Sequence, residues 1–282
     1  MEAYNVVKIA KYKLLAFRLL LRFFVGKKRR DHFVIKHKLS YIDFLPIFYG
    51  NRTIQSHEGF KAVPRLNTDD FYCLFSEREK EIKQHFKINP GETFVDVGSN
   101  VGYYSLLLAK NSPDSKIISI EAHPDNFEAL KRNIKVNNFK NIISVNKAIA
   151  SQTQGKLPLY EHWKGKGQKK TGMFNLSNQY DSKSFVEVSC DTLDNVLKFI
   201  DKTIYVIKID IEGEEVNALL GASNTLKNTR KIIVEIHNDD NLTKVEQILL
   251  SNQFHIEIIK SHLTFLIGTK ISSYIRKKMT RS

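Results

Sequence analysis

The chain has 282 residues, 42% of them hydrophobic, enough for one large domain with an appendage and an ordinary share for a protein that buries a core. The best apolar run, Leu14 to Val25, is interrupted by Arg18 and Arg22, falls short of the about 20 residues that span a bilayer, and lacks a cleavage signature. The net charge of +14 sits at the ends: residues 1–30 hold nine Lys/Arg against one acid and residues 260–282 six against none, so the balanced remainder offers no basic track for a nucleic acid.

Residues 1–26 read as an amphipathic helix. At about 100° per residue, Lys8, Lys11, Arg18 and Arg22 share one narrow sector, and Ile9, Leu14, Leu15, Phe17, Leu20, Leu21 and Phe24 fill the rest. Such a helix either lies on an anionic membrane surface or packs on the body with a charged stripe outward. The expected organisation is an N-terminal extension over 1–60, a main domain over 61–270 and a basic tail over 271–282. Cys73 and Cys190 stand in no CxxC pair or ligand cluster, which points to buried thiols in a reducing, cytoplasmic setting.

Residues 77–87, rich in Glu and Lys, read as a helix leading into the turn Asn89-Pro90-Gly91. Strands and helices then alternate. Strands are expected over 93–97, 116–120, 142–146, 204–209 and 231–236. Helices are expected over 101–111, 124–137, 214–227 and 241–250. Two more strands, 255–259 and 263–267, form a hairpin at the sheet edge. This alternation predicts an α/β fold, a doubly wound, mostly parallel sheet covered on both faces. Residues 151–190 break the rhythm and read as an insertion over the strand ends, where loops shape a substrate pocket.

In such sheets ligands bind beyond the carboxyl ends of the strands. The first strand runs into Asp96-Val97-Gly98-Ser99-Asn100-Val101-Gly102, where Gly98 and Gly102 permit a tight turn and close approach to a ligand. Asn100 replaces the middle glycine of a dinucleotide fingerprint, and a carboxylate from Asp96 facing the turn would repel a pyrophosphate but suit an ammonium group. Glu121, ending the second strand, suits ribose hydroxyls. Asp210 and Glu212, alternating at the fourth strand end, and Glu235 and His237 at the fifth can converge on one pocket. That set supplies a general base or holds a divalent cation; acid–base and acceptor-orienting roles are preferred, and no metal is expected. Glu215 reads as an acid favoured by the helix N-terminus.

These segments resemble the FkbM family of methyltransferases over roughly residues 65–260. The matching runs are Val95-Asp96-Val97-Gly98-Ser99-Asn100-Val101-Gly102-Tyr103-Tyr104-Ser105, Ile120-Glu121-Ala122-His123-Pro124, Asn146-Lys147-Ala148-Ile149, Lys208-Ile209-Asp210-Ile211-Glu212-Gly213-Glu214-Glu215 and Val234-Glu235-Ile236-His237. Ser99 stands where the family usually has Ala, and Ala122 where Pro is common. The resemblance implies a class I methyltransferase fold and S-adenosylmethionine as cofactor, held by Asp96, Gly98, Asn100, Gly102, Tyr104, Glu121 and Ala148. It implies O-methylation of a sugar, glycolipid or other small molecule, with Asp210 or His237 as base and Glu212 and Glu235 orienting the acceptor. The alternatives are an RNA methyltransferase, which the acids near the acceptor disfavour, and a cofactor-binding scaffold without catalysis.

Overall fold

The computed structural model describes residues 51–56, 58–66, 68–75, 79–161, 171–177 and 182–270. The expected N-terminal helix and the basic tail lie outside these residues.

A short hairpin opens the described chain: β1 (Ile54–Gln55) and β2 (Lys61–Ala62). It straddles the boundary expected at residue 60. Helix α1 (Asp70–Phe75) follows. The main sheet is built from β3 (Thr93–Val97), β4 (Lys116–Ile120), β5 (Ile142–Val145), β10 (Ile204–Ile209), β11 (Thr229–Ile236), β12 (Phe254–Lys260) and β13 (Thr264–Lys270). Their order is β12-β13-β11-β10-β3-β4-β5, and only β13 runs against the others. The hairpin expected at the edge is present, but its second strand enters the sheet and leaves β12 outermost.

The helices are α2 (Tyr103–Asn111), α3 (Pro124–Asn137), α4 (Leu193–Leu197), α5 (Glu215–Leu220), α6 (Ser223–Lys227) and α7 (Asp239–Ser251). Helix α3 shows why its limits could be read directly: Pro124 occupies the first turn, His123 accepts the Asp125 amide, and Asn138 ends it at a left-handed φ of 55°. Asn133 and Asn137 on α3 bind the backbone of Val63 and Lys61 and so fasten the β1–β2 hairpin to the body. The single helix expected over 214–227 is two. Gly221 and Ala222 separate α5 from α6, and a Cβ on Gly221 would stand 2.3 Å from the Ala150 carbonyl oxygen.

The helix expected over 77–87 is a correction. A 3-10 turn at Lys83–Phe86 is present instead, and Glu79 turns the chain at φ 52°. That turn seats its buried carboxylate on the Tyr104 hydroxyl.

The core lies on the sheet faces. Val95, Val97, Ile207, Ile209, Ile232 and Val234 point to one side and pack with Leu193, Leu219, Leu226 and Leu249. The opposite face carries a polar row. Parallel register sets Lys208 beside Asp96 and Asp96 beside Ser119. The insertion forms a second sheet together with the residues just before it, ordered β6-β9-β7-β8, from β6 (Ala148–Ile149), β7 (Gly155–Glu161), β8 (Phe174–Asn175) and β9 (Phe185–Asp191). Its apolar side joins Leu159, Phe174, Val188 and Cys190 to Ala148 and Ala150.

Candidate functional site

A cavity of about 310 Å3 opens at the carboxyl ends of β3, β4, β10 and β11, where an open α/β sheet places its ligand. Gly98 begins its floor. Its φ is +78°, and a Cβ there would lie 1.8 Å from the main-chain oxygen of Asp210. The two turns meet backbone to backbone, and the Asp210 amide donates to the Val97 carbonyl at 3.0 Å. Asn100 also takes a left-handed φ of 50°. Its amide donates to Glu121 Oε2 at 2.8 Å, and its side-chain amide donates to Thr171 Oγ1 at 3.3 Å.

At one end of the cavity Glu121 stands among Ile120, Ala122, Ala148 and Ile149. Its Oε1 accepts the His123 amide at 2.9 Å. Burial pushes its carboxyl up to about 7, while the amides of His123 and Asn100 pull the other way. Ala148, on β6, lines the same end.

Three expected cofactor residues do not line the cavity. Asp96 is fully buried on the polar row, not facing the glycine turn. Its Oδ2 accepts the Ser105 hydroxyl at 2.6 Å, and its Oδ1 lies 4.0 Å from Lys208 Nζ. Strand alternation explains this, because Val97 and not Asp96 is the last residue before the turn. Burial raises its pKa and the Lys208 charge opposes that. Gly102 serves packing: a Cβ there would meet Leu130 Cδ1 at 2.6 Å. Tyr104 donates to Glu79 and lies under Lys208 Nζ, 5.3 Å from the ring centre.

At the other end the four expected acceptor-side residues come together. Asp210 Oδ1, Glu212 Oε2 and Glu235 Oε1 lie 3.6, 3.7 and 3.5 Å from His237 Nε2. Asp210 and Glu212 do not alternate on a strand, as expected; β10 stops at Ile209, and Glu212 turns the chain at φ 51° before Gly213 at 102°. Burial disfavours a charge on His237, but the hydrogen bond to Glu215 and the fields of Asp210 and Glu212 outweigh it, and its pKa is pushed up to about 10. Burial, then Asp210, push Glu235 well above the ordinary carboxylate range.

Two residues were not foreseen as contributors, Glu215 and Lys208, and within the insertion expected over the strand ends one strap, Thr171–Leu176, lines the cavity. Glu215 is fully buried and is more than a helix-start acid: Oε1 holds His237 Nδ1 at 2.7 Å and the Gly213 amide at 2.8 Å, and Oε2 accepts Asn241 Nδ2 at 2.7 Å. Lys208 is buried and donates to Asp210 Oδ2 at 2.9 Å. Burial disfavours its charge, yet Asp210 and then Asp96 hold its pKa above the ordinary lysine value. The strap Thr171–Leu176 lines the cavity, anchored by Thr171 N and Oγ1 on Asp69 Oδ1 at 2.9 and 2.7 Å. Phe174 stacks on His123 with ring centres 4.1 Å apart.

The family model described as the methyltransferase FkbM domain matches residues 96–256. Methyltransferase sdnD of Sordaria araneosa is 24% identical over 189 residues, covering 57% of this chain and 73% of that protein. A tRNA(Phe) (4-demethylwyosine(37)-C(7)) aminocarboxypropyltransferase of Methanocaldococcus jannaschii is 28% identical over 99 residues; this is 35% of the chain, which spans only 40% of that relative. The crystal structure of methyltransferase FkbM from Methylobacillus flagellatus superposes with a TM-score of 0.50 at 17% identity, over 71% of this chain and 50% of that one.

Proposed function

The chain belongs to the FkbM methyltransferase family, whose cofactor is S-adenosylmethionine, and from that premise we propose that it methylates a hydroxyl oxygen of a sugar, glycolipid or other small molecule. The observation that carries this reading is the division of one cavity into two ends. Sheet order sets Glu121, with the apolar Ile120, Ala122, Ala148 and Ile149, at the carboxyl end of β4, and Asp210, Glu212 and Glu235 at those of β10 and β11; Asp69, Lys147 and Glu214 also line the cavity.

The cofactor fits the first end. Gly98, whose missing side chain lets the Asp210 main chain pack against it, holds the turn that lines this part of the cavity. Glu121 is placed for the ribose hydroxyls, Asn100 fixes that carboxylate through its amide, and Ala148 with Ile149 gives a flat apolar wall for a base. Asp96 and Tyr104 act from behind by holding Lys208, and Gly102 by setting α2 against α3.

The cofactor supplies an already activated sulfonium methyl. What remains for the protein is alignment of an acceptor oxygen and removal of its proton. Asp210 lies where the glycine turn meets the acidic end, and it accepts the acceptor proton. Lys208 holds its Oδ2, and its Oδ1 lies 3.6 Å from His237 Nε2. His237 is locked on Glu215 with Nε2 toward the three carboxylates, and it orients that end of the cavity. Glu212 and Glu235 are acceptors for further hydroxyls of a polyol.

Methyl-labelled cofactor incubated with the full chain and a fractionated extract tests the reading. Label in glycan, lipid or small-molecule fractions is expected. Label in RNA would overturn it in favour of the RNA reading, toward which the tRNA-modifying relative points. Binding of S-adenosylhomocysteine without label in any fraction would leave only a scaffold.

A further inference from the structure

We propose that His237, Asp210, Glu212 and Glu235 bind a hard divalent cation, contrary to the expectation from sequence. Nε2 of His237 is faced by three carboxylate oxygens at 3.5, 3.6 and 3.7 Å. An imidazole N–H serves one acceptor well, and these three stand at or beyond hydrogen-bond reach. Bond lengths of 2.3–2.6 Å put neighbouring ligands of one hard cation about 3.3–3.7 Å apart, and the three carboxylate oxygens stand at about that spacing from His237 Nε2. The closest set, Asp210, Glu212 and His237, keeps one ligand atom each within 4.8 Å of the others.

Two further observations point to a ligand. The Glu235 side chain is 6% exposed, it lines the cavity, and its Oε2 has no hydrogen-bond partner among the described residues. A buried carboxylate oxygen left in that state is costly unless something binds it. Independently, Nδ1 of His237 is tied to Glu215, which is tied in turn to Gly213 and Asn241. A carboxylate fixing one imidazole nitrogen so that the other faces carboxylates is the outer shell that metal-bound histidines carry. Carboxylates suit Mg2+, Ca2+ and Mn2+, and the single imidazole favours Mn2+ among these. Positions left open on the ion would face the cavity and fix a hydroxyl-bearing acceptor.

The test is binding of Mn2+ alone to the chelator-stripped full chain, followed by loss of the free-ion electron paramagnetic resonance signal and by calorimetry. One ion per chain is expected, displaced by Mg2+ or Ca2+. Glu212→Gln and His237→Asn should each weaken it about 10–100-fold, while retained S-adenosylhomocysteine affinity shows that the fold is intact. No uptake at millimolar Mn2+ overturns the proposal, and so does uptake that both variants leave unchanged. If an amine-bearing acceptor binds where Mn2+ does not, the carboxylates serve an ammonium group and the ion is wrong. Ion uptake is read without turnover, so its failure is separate from failure of the methyl-transfer reading.

Discussion

The main-chain oxygen of Asp210 occupies the space that a side chain on Gly98 would need, 1.8 Å from the ideal Cβ position. The cofactor-side turn and the acceptor-side turn are therefore one packed unit. A backbone shift at either is felt at both. Gly98→Ala must force the two backbones apart and also hold alanine at φ +78°. Overpacking and a left-handed φ each cost about 1–3 kcal/mol. The expected outcome is a lowered thermal midpoint together with loss of S-adenosylhomocysteine binding. An alanine variant with wild-type melting and affinity would contradict this packing.

Glu121 gives a pH signature. Its folded pKa, about 7, lies above its ordinary 4.5. The stability it contributes is therefore complete below about 4.5 and is lost as pH rises through about 7. Ligand binding runs the opposite way, because ribose hydroxyls donate best to the ionised carboxylate. Affinity for S-adenosylhomocysteine should rise between pH 6 and pH 8 in the native chain. Glu121→Gln should bind more weakly and lose this slope. Calorimetry across that range reads both effects, and a parallel slope in the variant would remove Glu121 from the ribose site.

Asp210→Ala should lower turnover by about 10²-fold or more while leaving cofactor affinity near the native value. The removed side chain reaches the acidic end, not the apolar one. Measuring kcat on the labelled acceptor beside S-adenosylhomocysteine affinity separates the two. Full turnover in the variant would exclude Asp210 as the base.

Glu215→Ala should reduce turnover through His237, about 10–100-fold. It also strands the Gly213 amide and Asn241 Nδ2, so a lower melting temperature is expected with it. Glu215→Gln keeps an acceptor for one of these groups and should recover part of the stability but less of the turnover. Equal recovery of both would make Glu215 a purely structural residue.

The charge partition predicts docking by the ends. Each Lys or Arg near an anionic surface contributes about 1 kcal/mol, and residues 1–30 hold nine. The full chain should sediment with anionic vesicles, not neutral ones, and salt should release it. Deleting residues 1–30 should abolish this. Equal, negligible sedimentation by both forms would leave the charges to solubility alone.

Much of the sheet could be read from the sequence because local signals and tertiary context agree there. Pro124 and Asn138 bracket α3, and β4 and β10 have the limits their apolar runs suggest. Agreement failed where a long-range partner decides. Glu and Lys over 77–87 favour a helix, yet Glu79 turns the chain to reach Tyr104, 25 residues on. Nothing local to Glu215 announces His237, 22 residues later, because their meeting depends on β10 and β11 lying side by side. For the same reason Asp96 was read as facing the ligand. The motif places it one residue before the strand end, and only the register with Lys208 shows which face it takes.

The reversed strand β13 pairs with β11 on one side and β12 on the other. During synthesis β11 therefore keeps an unpaired edge until residues 264–270 have left the ribosome, and β12 waits with it. The sheet cannot close as it is made, and its last strand is a keystone inserted between two earlier ones. A chain halted before Thr264 would leave both edges open, the condition in which strands pair with foreign chains.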